Sequence, residues 1–175
     1  MKTNMILCFL GASVALLLCG CGIIGKPAPE TPPQPETGGE PLELTAFSFS
    51  HSGSMANDCY MLELTREENG TRIYAEELFS GGRVADVVLE EDLLTGLGEL
   101  TGMYYVDRWD GFDKTNPMVR DGEGFSLSLT LADGRTVYAR GSNCFPKNYG
   151  EVFSEIWPLY NDLMEKYGEE GVNAP

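Results

Sequence analysis

From residue 44 onward, apolar and polar side chains alternate in short runs. Phe47 and Phe49 are set between Ala46, Ser48 and Ser50, and Tyr60, Leu62 and Leu64 between Met61, Glu63 and Thr65. A period of two sends successive side chains to opposite faces, so each run predicts a strand with one buried face. Ile73, Tyr74, Leu78 and Phe79 return after Glu67-Glu68-Asn69-Gly70-Thr71. An Asn-Gly pair between alternating runs predicts a hairpin whose two turn positions take positive φ. The clearest pattern comes later, where Phe125, Leu127, Leu129 and Leu131 alternate with Ser126, Ser128 and Thr130. Asp133-Gly134 then turns the chain into Arg135-Thr136-Val137-Tyr138-Ala139-Arg140, an antiparallel hairpin with one dry face and one wet face.

After Val88 the period changes to three and four residues. Leu93, Leu94, Leu97 and Leu100 form a stripe, with Glu90, Glu91 and Asp92 at the front, where a helix dipole favours negative charge. Gly96, Gly98 and Gly102 each weaken this helix by up to about 1 kcal/mol relative to Ala, so packing must hold it. A second stripe, Val152, Phe153, Ile156, Trp157, Tyr160, Leu163 and Met164, predicts a second helix. Asn148 is placed to cap it with Glu151 as box partner, and Pro158 should kink the helix or restart it. The sum is an α+β domain over residues 42–168, an antiparallel sheet of about five strands with two helices on one face, in the order β-β-β-α-β-β-α. Residues 169–175 are expected to fray.

Ahead of the domain the pattern is of another kind. Residues 5–18 form an apolar run behind Lys2, of signal-peptide length. Fourteen helical residues rise about 21 Å, short of the roughly 30 Å of a hydrocarbon core, so a spanning helix is not expected. The run ends in Leu18-Cys19-Gly20-Cys21, which resembles the lipobox of bacterial lipoproteins. That resemblance implies that residues 1–20 are a leader that is removed, and that Cys21 carries diacylglycerol as the first residue of the mature chain. The protein would then be held at the cell membrane, facing outside the cytoplasm. An ordinary secretory signal is the alternative. Residues 22–41 hold Pro27, Pro29, Pro32, Pro33, Pro35 and Pro41 among Glu, Thr, Gly and Gln, too few apolar groups to offset ordering entropy, and read as an extended tether.

Charge and cysteine content narrow the partners. The formal net charge is -15, a surface that repels phosphate backbones and excludes nucleic acid as a partner. Anionic headgroups are repelled too, so attachment to a membrane rests on acyl chains alone. Of the five cysteines, Cys8 and Cys19 fall in the leader and Cys21 is the lipidation residue. Cys59 and Cys144 remain, either as a pair in an oxidising compartment or as two small buried hydrophobes.

Candidate chemistry concentrates between Tyr104 and Gly124, the longest stretch without periodicity. Trp109, Asp110 and Phe112 there, with Asn143 in the turn that follows the second hairpin, are the candidate contacts for a small ligand or an envelope protein. Trp109 and Phe112 read either as an exposed pair or as plugs under the loop. Asp107, Asp110 and Asp113 are three apart and fail the EF-hand spacing, and no metal or cofactor is expected. His51 is the single histidine, which excludes multi-histidine zinc sites. With Cys144 or a carboxylate pair it is the sharpest catalytic constellation the residues allow, that of a small envelope hydrolase.

The succession Trp109-Asp110-Gly111-Phe112, Asp121-Gly122, Phe125-Ser126-Leu127-Ser128-Leu129, Asp133-Gly134 and Gly141-Ser142-Asn143-x-Phe145-Pro146 resembles a domain of uncharacterised bacterial proteins, many of them exported. It covers roughly residues 89–160 and implies one coherent domain without naming an activity. The expectation is a non-catalytic binding or interaction module at the cell envelope, with the small hydrolase as the alternative.

Overall fold

Alternation, turn residues and the two helical stripes combine as α+β. In the computed structural model, which describes residues 36–53, 59–78, 82–119 and 122–170, the order is β1 (Leu44–Ser52), β2 (Tyr60–Glu67), β3 (Gly70–Glu77), β4 (Arg83–Leu89), α1 (Leu93–Met103), a 3-10 turn (Val106–Trp109), β5 (Phe112–Thr115), β6 (Gly124–Leu131), β7 (Thr136–Ser142), α2 (Tyr149–Tyr167) and β8 (Glu169–Glu170). The expected leader, Cys21 and the tether as far as residue 35 lie outside the described residues. Among those described, no helix is long and apolar enough to cross a membrane.

The strands form one sheet in the order β5-β7-β6-β1-β2-β3-β4-β8, antiparallel throughout except for the parallel pair β5 and β7. Its dry face carries Phe47, Phe49, Leu62, Leu64, Ile73, Ala75, Leu127, Leu129, Val137 and Ala139, all buried. Helix α1 packs beneath β1 and β2, and α2 beneath β3 and β4. Fully burying a Leu, Val or Phe side chain contributes about 1.5–3 kcal/mol, so this face is the main source of cohesion. Leu44 and Phe47 have opposite parity yet both are buried, because a register shift between Leu44 and Ala46 turns the strand. The wet face carries Ser48, Ser50, Ser126 and Ser128, all only partly covered.

Several details depart from the expectation. The sheet gains β4, β5 and the two-residue β8 over the five strands anticipated. At the first hairpin Glu67 pairs with Gly70, so Glu68 and Asn69 make the turn and neither takes positive φ. Asn148 is the N-cap residue of α2 but in the left-handed region, φ 64°, with no side-chain capping bond. Its amide instead clasps the backbone of Glu36: Nδ2 donates to the Glu36 carbonyl at 2.8 Å and to the Tyr104 carbonyl at 3.0 Å, while Oδ1 accepts the Glu36 N–H at 3.1 Å. Pro158 lies inside α2, which continues to Tyr167 instead of restarting.

Helix α1 explains its own glycines. Asp92 caps it, accepting from the Thr95 N–H at 3.3 Å and the Thr95 hydroxyl at 2.9 Å. Along one side runs the strap of residues 36–43, with Leu42 N–H bonded to the Gly98 carbonyl at 3.0 Å and Gly38 N–H to the Met103 carbonyl at 3.1 Å. A Cβ on Gly98 would strike the Leu42 carbonyl, and one on Gly102 the Glu40 carbonyl. Two backbones approach here as only glycine permits. Residues 36–41, which composition assigns to the tether, therefore lie along the helix.

Candidate functional site

Four strands end together on the side of the sheet where β1 finishes. Ser52 pairs with Gly124, Gly124 with Ser142, and Ser142 with Thr115. Each strand brings its wet-face side chains to this end, where Gly122 and Glu123 join the lining. The result is a groove of about 520 Å³ lined by the hydroxyls of Ser50, Ser52, Thr115, Ser126 and Ser142, with Asp113, Lys114, Glu123 and Arg140 around them. Asp113 and Arg140 form an ion pair at 2.6 Å. The guanidinium, first by its hydrogen bond and then by its charge, holds the Asp113 carboxyl below the usual carboxylate range. Both side chains are more than half exposed, so the pair orients its members more than it stabilises the fold.

Beside the groove, residues 116–119 and 122–123 are held by main-chain and amide bonds. Asn116 N–H donates to the Ser142 carbonyl at 2.9 Å, and Asn116 Oδ1 accepts the Met118 N–H at 3.1 Å. Asn143 stands at φ 51°, a left-handed conformation that Asn tolerates better than most residues. From there its N–H donates to the Glu123 carbonyl at 2.7 Å and its Nδ2 to the Val119 carbonyl at 3.3 Å. A side chain on Gly122 would collide with the same amide. Met118, within residues 116–119, is 88% exposed.

None of the four residues singled out as contacts is among those that line the groove; each packs or bonds beside it. Trp109 is buried, donates its indole N–H to the Lys147 carbonyl at 3.0 Å, and stands edge-on to Phe125 with centroids 6.1 Å apart. It offers no exposed ring. Phe112 is half-buried, 6.2 Å from Phe125. Asp110 accepts the Tyr138 N–H at 3.1 Å while Gly111 N–H donates to the Tyr138 carbonyl, which fastens the start of β5 to β7. Asn143 bonds to Glu123 and Val119. The hydroxyls that line the groove carry no mark in the sequence, where they look like any solvent face of a strand; the convergence of Gly122, Gly124 and Gly141 beside them is the one signal present.

His51 is buried on the dry face and shares a 3.0 Å hydrogen bond between Nδ1 and the Tyr149 hydroxyl. With Glu123, Tyr149, Phe153 and Trp157 it borders a second cavity of about 250 Å³. Burial, and then the charge of Glu123, push the Tyr149 phenol well above its ordinary range. Cys144 does not line this cavity, and among the described residues Glu123 is the one carboxylate that borders it. Among the described residues that line it, none is a Ser, Thr or Cys that could serve as nucleophile beside His51. Cys59 and Cys144 are both free thiols. Among the described residues, no group of three or more His, Cys, Asp or Glu side chains is arranged to hold a metal ion.

The class defined by this fold and groove is an α+β domain with helices on one face of the sheet and a polar recess at the end of the other. Comparison of the chain with protein-family profiles, with curated proteins and with solved structures gives no match.

Proposed function

We propose that this chain is a lipoprotein of the cell envelope, anchored through Cys21 and facing outside the cytoplasm, and that its domain is a non-catalytic binding module. The groove at the joined ends of β1, β5, β6 and β7 is its ligand seat. The observation that carries this reading is the concentration of five hydroxyls and the Asp113–Arg140 pair around one recess, beside which Asn143 bonds to Glu123 and Val119. Its volume falls within the range of about 300–1,000 Å³ typical of small-molecule sites. Its lining is polar, so the ligand it suits is a small polar molecule that satisfies many hydrogen bonds at once and gains orientation from the one fixed ion pair.

A photo-crosslinking amino acid at Ser126, in the floor of the groove, tests this in intact cells, with the same group at exposed Glu155 on α2 as control. The reading expects an adduct at position 126 and none at 155. Equal labelling of the two positions, or labelling at 155 alone, overturns it.

A further inference from the structure

Helix α2 carries Tyr149, Phe153 and Trp157 at intervals of four residues, a spacing that sets side chains above one another on one helix face. Their rings form a row: Tyr149 and Phe153 lie 6.0 Å apart at 21°, Phe153 and Trp157 6.2 Å apart at 18°. His51, near the end of β1, faces the row with its ring 4.6 Å from that of Phe153. Phe153 and Trp157 are only half-buried, so the core does not account for all of their surface. The remainder borders the 250 Å³ cavity, and the Glu123 carboxylate completes its lining.

Among the described residues that line the cavity, Glu123 is the one carboxylate, and the rest are the rings of Tyr149, Phe153 and Trp157 and the His51 imidazole. Aromatic faces present negative potential, and Glu123 adds a full negative charge while taking part in none of the ion pairs among the described residues. An anion would meet that carboxylate. A neutral polar solute would trade its bonds to water for ring faces. A cation whose charge is spread over methyl groups gains on both counts, since its apolar surface suits the rings and its charge suits their quadrupoles and Glu123. The chain's net charge of -15 also raises the local concentration of cations. We infer that the cavity lined by His51, Tyr149, Phe153, Trp157 and Glu123 is a binding site for an alkylammonium group, of the methylated or quaternary class. At 250 Å³ it is smaller than a typical drug-sized pocket, and it takes such a head group rather than a whole large ligand. The site shares Glu123 with the polar groove but does not depend on that groove being occupied.

The test is an NMR titration of the full chain in a nonionic maltoside micelle, following the indole N–H of Trp157, with tetramethylammonium chloride as probe. Sodium chloride at equal ionic strength and the uncharged analogue 3,3-dimethylbutan-1-ol are the controls. The expected result is a saturable shift at Trp157 with the cation and neither control, weakened about tenfold by Phe153→Leu and severalfold by Glu123→Gln. Glu123 is exposed, so that variant keeps its fold, and an unchanged spectrum away from the cavity verifies it. Soluble glycerophosphocholine and a phosphocholine lipid added to the micelle then separate sources: a response to the first alone assigns the ammonium to a free solute, a stronger response to the second assigns it to a lipid headgroup. No saturable shift with tetramethylammonium, an equal shift with the uncharged analogue, or affinity unchanged in both variants overturns the inference.

Discussion

Asn143 shows how one residue shapes the groove. Its left-handed backbone turns the chain out of β7 so that its N–H and its amide reach Glu123 and Val119 together. Replacing it with Ala removes the amide bond and leaves a β-carbon in a conformation costing roughly 1–2 kcal/mol. Asn143→Ala should therefore lower stability to chemical denaturation by about 1–2 kcal/mol, and Asn143→Gly, which accepts the same φ, by less. Equal losses in the two variants would show that the backbone conformation is not what matters. Asp113 offers a second check at this scale. Its folded-state pKa lies below the ordinary value because Arg140 bonds it, so the pair favours the folded state above the unfolded carboxylate pKa of about 3.9 and loses that contribution as pH falls through the lower folded value. A carboxyl-carbon NMR titration should place the Asp113 midpoint below that of a free aspartate, and Arg140→Gln should raise it; an unchanged midpoint would argue against the ion pair in solution. In the sequence Trp109 stands out as an aromatic in a stretch without periodicity, and Asn143 as a turn residue that tolerates a left-handed backbone. Ser50 and Ser126 cannot be told there from Ser48 and Ser128, since a polar residue on the wet face looks the same whether it meets bulk water or a recess.

At the scale of elements, α1 reverses a general rule. Gly→Ala inside a helix normally stabilises by about 1 kcal/mol, and Gly96, with nothing within 4 Å of the place its methyl group would take, should follow it. Gly98→Ala and Gly102→Ala should instead destabilise, because the new methyl group meets the carbonyls of Leu42 and Glu40 and forces the strap off the helix. Thermal melts of the three variants separate the cases: Tm rises for Gly96→Ala and falls for the other two, and a rise in all three would mean the strap does not lie there. The helix stripe and both hairpins were legible because periodicity reports a buried face. The glycines were legible only as a weakness, since their partner is a backbone with no pattern of its own. Strands β4 and β5 were obscured for related reasons: β4 follows Ser80-Gly81-Gly82 and keeps Val84 and Val88 on its wet face, while the four residues of β5 hold three charged or polar side chains and pair in parallel with β7. Asn148 carried a real signal, a polar residue at a helix start, but the strap competed for its amide and won both ends of it.

For the whole molecule, the strap sets how much chain would separate a lipid anchor at Cys21 from the folded unit. Glu36 is bonded to Asn148 and ion-paired with Lys147 and Arg108, so under the proposed anchoring residues 22–35 rather than 22–41 would be left to span from Cys21 to the domain. At about 3.1 Å per residue an extended stretch of that length would reach at most roughly 45 Å. If the anchor is acyl chains alone, Cys21→Ser should shift the protein from the membrane fraction to the soluble one, as read by fractionation and immunoblot; retention in the membrane fraction would contradict it. The polar groove lies on the sheet face opposite the helices, open to solutes. Hydrogen–deuterium exchange of the full chain in native envelope membranes, set against the purified chain in detergent, measures that openness and its use directly. Binding in the groove predicts slower exchange in the membranes at residues 122–126 and 140–143, with the β3 and β4 amides unchanged; equal rates in the groove, or slowing confined to β3 and β4, would contradict it.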